Sequence, residues 1–271
     1  MQDFFGKNAD ALKDKRLFLF DMDGTIYCGE NLFDGVIDLL SIMRDKGAFY
    51  AFITNNSSKS LIDYVAKVKR LGIVDVTEES FFSSAQATVM VLKQRFGDGL
   101  IYAQGTRSFI SELTSGGINI TTQYTTKAVA VVVGFDTELT GEKLATTSKM
   151  LCLNKDIPFY ATNPDLCCPT EFGAVPDCGS MCIGLKNATG RTPIYIGKPQ
   201  PTMIDVVVEK FGVTKEQTVV VGDRLYTDIA SGVNAGVDTV LVLSGESTVE
   251  DLKASTVKPT YVFKSVADFS L

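Results

Sequence analysis

Two aspartates one residue apart, Asp21-Met22-Asp23, followed by Gly24 and Thr25, are the first residues of the chain whose types and spacing suggest chemistry. In extended backbone alternate side chains share a face, so Asp21 and Asp23 stand opposite Met22, and Gly24 lets the chain turn sharply after them. If a strand ends there, a metal ion is within reach of one carboxylate and of the other residue's backbone carbonyl. A calcium loop of the EF-hand type competes for the pattern D-x-D-G, but it needs glycine at position six and glutamate at position twelve. Counted from Asp21, Gly24 falls at position four and Leu32 at position twelve, so that reading fails. Further polar groups follow as Thr54-Asn55-Asn56, Gly197-Lys198-Pro199, and Gly222-Asp223 with Asp228 five residues on. Singly, each has an ordinary explanation as a turn, a helix cap or a solvated surface group.

The 271 residues contain no histidine, which removes Ser-His-Asp and Cys-His nucleophile systems and mixed Cys/His zinc sites. Acid–base work falls to Asp, Glu, Lys, Tyr or Cys. The six cysteines form no C-x-x-C and read as reduced thiols, with Cys167, Cys168, Cys178 and Cys182 alone close enough in sequence for an all-thiolate site. Neither G-x-x-x-x-G-K-[ST] nor G-x-G-x-x-G occurs, which argues against the common nucleotide cradles.

The elements that must position these groups are legible in the apolar pattern. Leu17–Phe20 is a short buried strand that stops at Asp21. A helix over 33–46 carries Val36, Leu39, Leu40 and Met43 at helical spacing and ends at Gly47. Ala48–Ile53 is a second strand, after which Ser57 or Ser58 caps a helix to about Leu71. The far end repeats the alternation with a strand at Ile194–Ile196, a helix at Pro201–Phe211, a strand at Thr218–Val221, a helix at Thr227–Ala235 and a strand at Thr239–Leu243. Tyr261–Phe263 is a candidate for one more. Such βα repetition implies an α/β fold, with a Rossmann-like parallel sheet and right-handed crossovers. Between the halves lies another alternating series of strands (Ile101–Ala103, Val129–Val133, Phe159–Thr162) and helices (Thr106–Leu113, Thr140–Asn154, and one near Cys178–Asn187). The expected organisation is a core of residues 1–85 and 186–271 with a second, smaller α/β domain, 86–185, inserted into it. In a parallel α/β sheet ligands collect outside the carboxyl ends of the strands. The four polar groups all fall at such exits, and this joint placement is what the ordinary explanations leave out.

Composition bounds the function classes. With 26 basic and 32 acidic side chains the net charge is −6, which argues against a broad nucleic-acid footprint. No apolar run approaches the roughly 18 residues of a membrane span, and the first ten residues lack the regions of a secretory signal. The expectation is a cytoplasmic protein with a small-molecule substrate, no nucleic-acid or membrane partner, and room for a homodimer contact on the inserted domain.

The four groups, in this order, resemble the four motifs of the haloacid dehalogenase-like phosphatases, and most closely the NagD and 4-nitrophenylphosphatase branch. In that branch an α/β cap is inserted between the second and third motifs; Thr162-Asn163-Pro164-Asp165 is similar to a cap segment seen there. The resemblance implies that Asp21 is a nucleophile phosphorylated during turnover and that Asp23 is the general acid and base. Thr54 would hold the phosphoryl oxygens, with Asn55 and Asn56 contacting the phosphoryl group or the substrate, and Lys198 would neutralise charge and orient Asp21. Mg²⁺ would be held by Asp21, the Asp23 carbonyl and Asp223, with Asp228 supporting its waters or Lys198. Physics agrees on the metal: a phosphate dianion and three carboxylates outweigh one ammonium, and oxygen ligands suit Mg²⁺ better than zinc. The cap would close over the strand edge and exclude water, with Asn163, Asp165 and the loop Pro169–Gly179 as candidate substrate contacts, although Asn-Pro-Asp is equally a turn signal. Arg107, Arg191, Arg224 and Tyr226 are candidates for selecting a second anionic or ring group.

The implied activity is hydrolysis of small phosphomonoesters such as sugar phosphates, nucleotides, phosphoglycolate or 4-nitrophenyl phosphate. A phosphotransferase or phosphomutase could use the same site. A receiver-type signalling domain also combines an acidic pair, a phospho-accepting Asp, a Thr and a Lys, but it needs about half this length and places its phospho-accepting Asp after the acidic pair.

Overall fold

A computed structural model describes residues 1–170 and 172–271; Glu171, inside the expected loop Pro169–Gly179, lies outside the described residues. Along the chain run β1 (Leu17–Phe20), β2 (Tyr27–Cys28), β3 (Asn31–Leu32), α1 (Val36–Asp45), β4 (Phe49–Thr54), α2 (Leu61–Arg70), β5 (Phe81–Ser83), α3 (Ser84–Phe96), β6 (Ile101–Gln104), α4 (Arg107–Ser115), β7 (Ile120–Thr121) and β8 (Ala130–Val133). There follow α5 (Gly141–Leu153), β9 (Phe159–Ala161), β10 (Cys167–Thr170), β11 (Gly173–Pro176), α6 (Cys178–Thr189), β12 (Ile194–Tyr195), α7 (Thr202–Phe211), β13 (Thr218–Gly222), α8 (Ala230–Ala235), β14 (Asp238–Val242), α9 (Val249–Ala254) and β15 (Tyr261–Phe263). The chain divides into two compact units: Met1–Thr54, Leu61–Phe82 and Lys198–Leu271 form one, Asn55–Ser60 and Ser83–Gly197 the other.

The first unit holds a six-stranded sheet in the order β15-β14-β13-β1-β4-β5. From β15 to β4 every neighbouring pair is parallel. All four residues of β1 are buried, as an interior parallel strand covered on both faces requires. The chain runs outward from β1 through β4 and then returns to β13 on the other side, so the direction of winding reverses between β1 and β13. That reversal is the crevice where open α/β sheets take their ligands. Aromatic residues fill one flank, with Phe52 fully buried and its ring centroid 5.2 Å from Phe81 and 6.5 Å from Phe20.

The second unit holds an all-parallel five-stranded sheet in the order β12-β9-β8-β6-β7, together with the hairpin of β10 and β11. Its helices start where the sequence marks them: Thr106 and Thr140 accept hydrogen bonds from the backbone N–H three residues on and cap α4 and α5. Among the described residues no helix is long and apolar enough to cross a membrane.

Several expectations shift. The Ile194 strand, expected in the same sheet as Asp21, pairs instead with β9 in the second sheet, and Tyr195 packs there on the core of Val133, Phe159 and Cys182. A strand of two residues carries too little pattern to reveal its partner. Ser57 and Ser58 do not cap α2, which begins at Leu61; the Ser57 hydroxyl accepts from the Phe135 N–H at 3.0 Å and meets the Thr162 hydroxyl at 3.1 Å. Helix α3 falls across the expected border at 85/86, opened by the reciprocal capping of Ser83 and Gln86.

Phe52→Ala is expected to destabilise the first unit by about 3–5 kcal/mol, the cost of an aromatic cavity in a closed core, read as a lower urea midpoint with the denaturant slope unchanged.

Candidate active site

Strand β1 delivers Asp21 into the crevice, where the Asp21 N–H donates to the Val221 carbonyl at 2.9 Å and continues the β1–β13 ladder by one rung. Strand β13 ends at Gly222 and presents Asp223; the π-helical turn Leu225–Ile229 that follows brings Asp228 back beside it. Asp21, Asp223 and Asp228 each offer a carboxylate oxygen, and these lie within 4.8 Å of one another. Their side chains are almost wholly withdrawn from solvent.

Lys198 is the counter-charge. Its buried ammonium donates to Asp21 Oδ1 at 2.5 Å, to Asp228 Oδ1 at 2.6 Å and to the Ile53 carbonyl at 3.3 Å. Burial opposes that positive charge, but Asp21 and Asp228 overcome it and hold the ammonium well above the ordinary lysine range. Burial and then the Asp228 charge push Asp21 well above the usual carboxylate range, with Lys198 pulling the other way. Burial and Asp228 likewise push Asp223 up to about 6. The cluster holds more negative charge than its ammonium balances.

The backbone around it is shaped for close approach. Gly24 sits at φ +87°, and a Cβ there would come within 2.4 Å of Asp223 Oδ2; one on Gly245 would come within 2.1 Å of the same oxygen. Asp223 is fixed by the Glu246 N–H on Oδ2 at 2.7 Å and by the Thr25 hydroxyl on Oδ1 at 3.3 Å, and Asp228 by the Arg224 N–H on Oδ2 at 3.1 Å. Three buried, hydrogen-bonded carboxylates with one ammonium between two of them are a fit for a hard divalent cation such as Mg²⁺.

The expected residues separate into two sets. Asp21, Thr54, Lys198, Asp223 and Asp228 come from the first unit, and Thr54 is buried at the end of β4. The Asp23 carboxylate stays outside the acidic cluster: the Tyr27 hydroxyl donates to its Oδ2 at 3.4 Å, and the Lys67 ammonium lies 3.9 Å from Oδ1. Burial, then the Asp23 charge, holds the Tyr27 phenol far above its usual range, so it remains a donor. Asn55, Asn56, Asn163 and Asp165 belong to the second unit. Asn163 is fully buried with both ends of its amide engaged, Nδ2 on the Asn55 carbonyl at 2.8 Å and Oδ1 under the Asp165 N–H at 3.0 Å. The Asn55 amide donates to Asp165 Oδ2 at 3.0 Å, and Asn56 Oδ1 accepts from Ser58. These bonds tie the Asn163–Asp165 turn to the distant Asn55 segment.

Of the four candidate selecting groups, the Arg191 guanidinium is spent on the carbonyls of Asn154, Lys155 and Ile157. Arg107 is exposed beside Glu138. Arg224 and Tyr226 both meet Glu246, at 2.8 Å each. Glu246 and Gly245 were not anticipated, although they follow the carboxyl end of β14 and the strand-exit rule applied there points to them.

Comparisons place this geometry in a family. A model of haloacid dehalogenase-like hydrolases matches residues 18–119, and a HAD-hydrolase-like model matches residues 195–269. The acid sugar phosphatase of Staphylococcus haemolyticus is 33% identical over 94% of this chain and 95% of its own. The solved 4-nitrophenylphosphatase of Thermotoga maritima has a TM-score of 0.89 and 40% identity, covering 95% of this chain and 97% of that one. The glycerol phosphate phosphatase of Mycobacterium tuberculosis, solved in complex with magnesium, has a TM-score of 0.86 and 30% identity over 93% of this chain and 75% of its own. The chain belongs to the haloacid dehalogenase-like hydrolases, in the branch of NagD and the 4-nitrophenylphosphatases, and is a phosphatase.

Without metal, Asp223 keeps its proton in the folded state to about pH 6 while its unfolded counterpart loses it near 3.8. The fold then binds more protons than the unfolded chain in that interval, so this group's effect lowers stability as pH rises through it, and the cost persists above. A divalent cation held there would take the place of the proton. The gain in melting temperature on adding Mg²⁺ over chelator is therefore expected to be larger at pH 7.5 than at pH 5, by differential scanning calorimetry.

Proposed function

We propose that the protein is a Mg²⁺-dependent phosphatase of small phosphomonoesters that works through an aspartyl phosphate on Asp21. The observation that carries this reading is the buried ammonium of Lys198 clamped between Asp21 and Asp228 at the point where the sheet reverses direction.

An aspartate facing a phosphate dianion is a repulsive pair, and unit charges 4 Å apart interact by roughly 4 kcal/mol at an effective dielectric of about 20. Lys198 offsets part of that repulsion and fixes one Asp21 oxygen, leaving the other as the attacking atom. Asp21, the Asp23 carbonyl, Asp223 and Asp228 are the groups that hold Mg²⁺ or its waters; when bound, the cation supplies the remaining positive charge against the phosphoryl oxygens. Thr54, at the end of β4, receives a phosphoryl oxygen by its hydroxyl.

In the first half-reaction an Asp21 carboxylate oxygen bonds to phosphorus, the bond from phosphorus to the alcohol oxygen breaks, and the Asp23 carboxyl gives its proton to the departing alkoxide. In the second, a water oxygen bonds to phosphorus, its proton passes to the Asp23 carboxylate, and the acyl phosphate bond breaks to return Asp21 and inorganic phosphate. Splitting one slow hydrolysis into two displacements leaves most of the catalysis to positioning and electrostatics.

The names of the relatives, which include acid sugar, 4-nitrophenyl and glycerol phosphate phosphatases, support small monoesters as the substrate class. Asp21→Asn is expected to abolish release of inorganic phosphate from 4-nitrophenyl phosphate and from a panel of sugar and glycerol phosphates while binding of the esters persists. Turnover by a pure Asp21→Asn sample removes Asp21 as the nucleophile. Wild-type release that persists in chelator removes the metal.

A further inference from the structure

Asp23 is gripped by two residues that lie outside the four motifs. Tyr27 is fully buried and reaches Asp23 twice over. Its backbone closes the loop that carries the aspartate, with Gly24 N–H donating to the Tyr27 carbonyl at 2.8 Å and a β-bridge joining Asp23 to Tyr27. Its hydroxyl then donates to Asp23 Oδ2 at 3.4 Å. Lys67, on α2, lays its ammonium 3.8 Å from the centre of the Tyr27 ring and 3.9 Å from Asp23 Oδ1. The Lys67 side chain is 18% exposed and that of Asp23 61%, so a largely buried cation and a buried phenol reach out to an exposed carboxylate.

An exposed aspartate is free to change rotamer, whereas a proton donor to a leaving group works only from one direction and distance. The two Asp23 oxygens face different partners, and the cation–π contact locks those partners to each other. We propose that Tyr27 and Lys67 are positioning residues for Asp23, holding its carboxyl group in the orientation from which it protonates the departing alkoxide. The inference rests on the acid–base role given to Asp23 above.

The consequence is selective. A nitrophenolate leaves with little help from an acid, while an alkoxide needs its proton as the phosphorus–oxygen bond breaks. Because kcat/KM reports only the steps through phosphorylation of Asp21, the ratio of kcat/KM for an alkyl ester to that for 4-nitrophenyl phosphate isolates proton delivery from the later attack of water.

The test compares wild type, Tyr27→Phe, Lys67→Met, Lys67→Arg and Asp23→Asn on 4-nitrophenyl phosphate and on glucose 6-phosphate, or on whichever primary-alcohol phosphate wild type hydrolyses fastest. Tyr27→Phe keeps the buried ring, and activity on the nitrophenyl ester serves as the control for folding. The expected result is a fall of about ten-fold or more in the alkyl-to-aryl ratio for Tyr27→Phe and for Lys67→Met, with Lys67→Arg restoring most of it. A ratio unchanged from wild type, or an equal loss on both esters, overturns the inference. In the first of those outcomes, a fall in the ratio for Asp23→Asn leaves the acid–base role of Asp23 standing, whereas an unchanged ratio there removes that role and the inference with it.

Discussion

Three carboxylates buried within 4.8 Å of one another repel by roughly 3–4 kcal/mol per pair at an effective dielectric of about 20, and the rest of the molecule is organised around tolerating that repulsion. Lys198 neutralises part of it and is itself held charged by the arrangement. What remains is an electrostatic vacancy that a divalent cation fits. Apolar residues in place of a buried ion-pair cluster are often no less stabilising, so stability alone does not account for this one.

The fold meets this constraint at one place. Parallel strands on both sides of the reversal, β1 and β13, end next to each other, so two carboxylates from residues 202 positions apart in sequence arrive at one crevice without any long loop. The turn after β13 adds Asp228, and the turn after β14 closes the far side by its backbone, with the Glu246 N–H on Asp223. Glycine is needed at 24 and 245 because both main chains pass so close to Asp223 that a Cβ would overlap its carboxylate. Thr54 and Lys198 stand at two of the points where the chain passes from one unit to the other.

Much of this was legible from local pattern. Buried strands are marked by apolar runs that stop at an acidic or polar residue, as Leu17–Phe20 does at Asp21, and the helices expected from Thr106 and Thr140 do begin there, each threonine serving as the cap. Elements of two residues, β12 among them, cannot be placed in a sheet from local pattern because so short a stretch has no periodicity of its own. The same limit hid the alternative uses of polar residues: Ser57 looks like a helix cap from its neighbours, yet its hydroxyl is taken by the Phe135 N–H, a partner 78 residues away. Asn163 allows two readings because a turn and a substrate contact call for the same residue types; its Oδ1 accepts from the Asp165 N–H within the turn, while its Nδ2 donates to the Asn55 carbonyl 108 residues away, a partner no local pattern reveals.

By itself the sequence determined the residue types, their order and the strand ends that carry them, since backbone geometry and hydrophobic period act over a few residues. Those features were enough for the α/β class, the four motifs and the family they resemble. Only the tertiary structure decided which groups share charge: that Lys198, leaving a strand of the second sheet, bridges Asp21 and Asp228, that Asp23 faces Tyr27 and Lys67 while its neighbour two residues back joins the acidic cluster, and that Arg224 and Tyr226 are engaged by Glu246. Coulombic and hydrogen-bond energies depend on distance through space and on burial, and neither quantity is written in the spacing of residues along a chain.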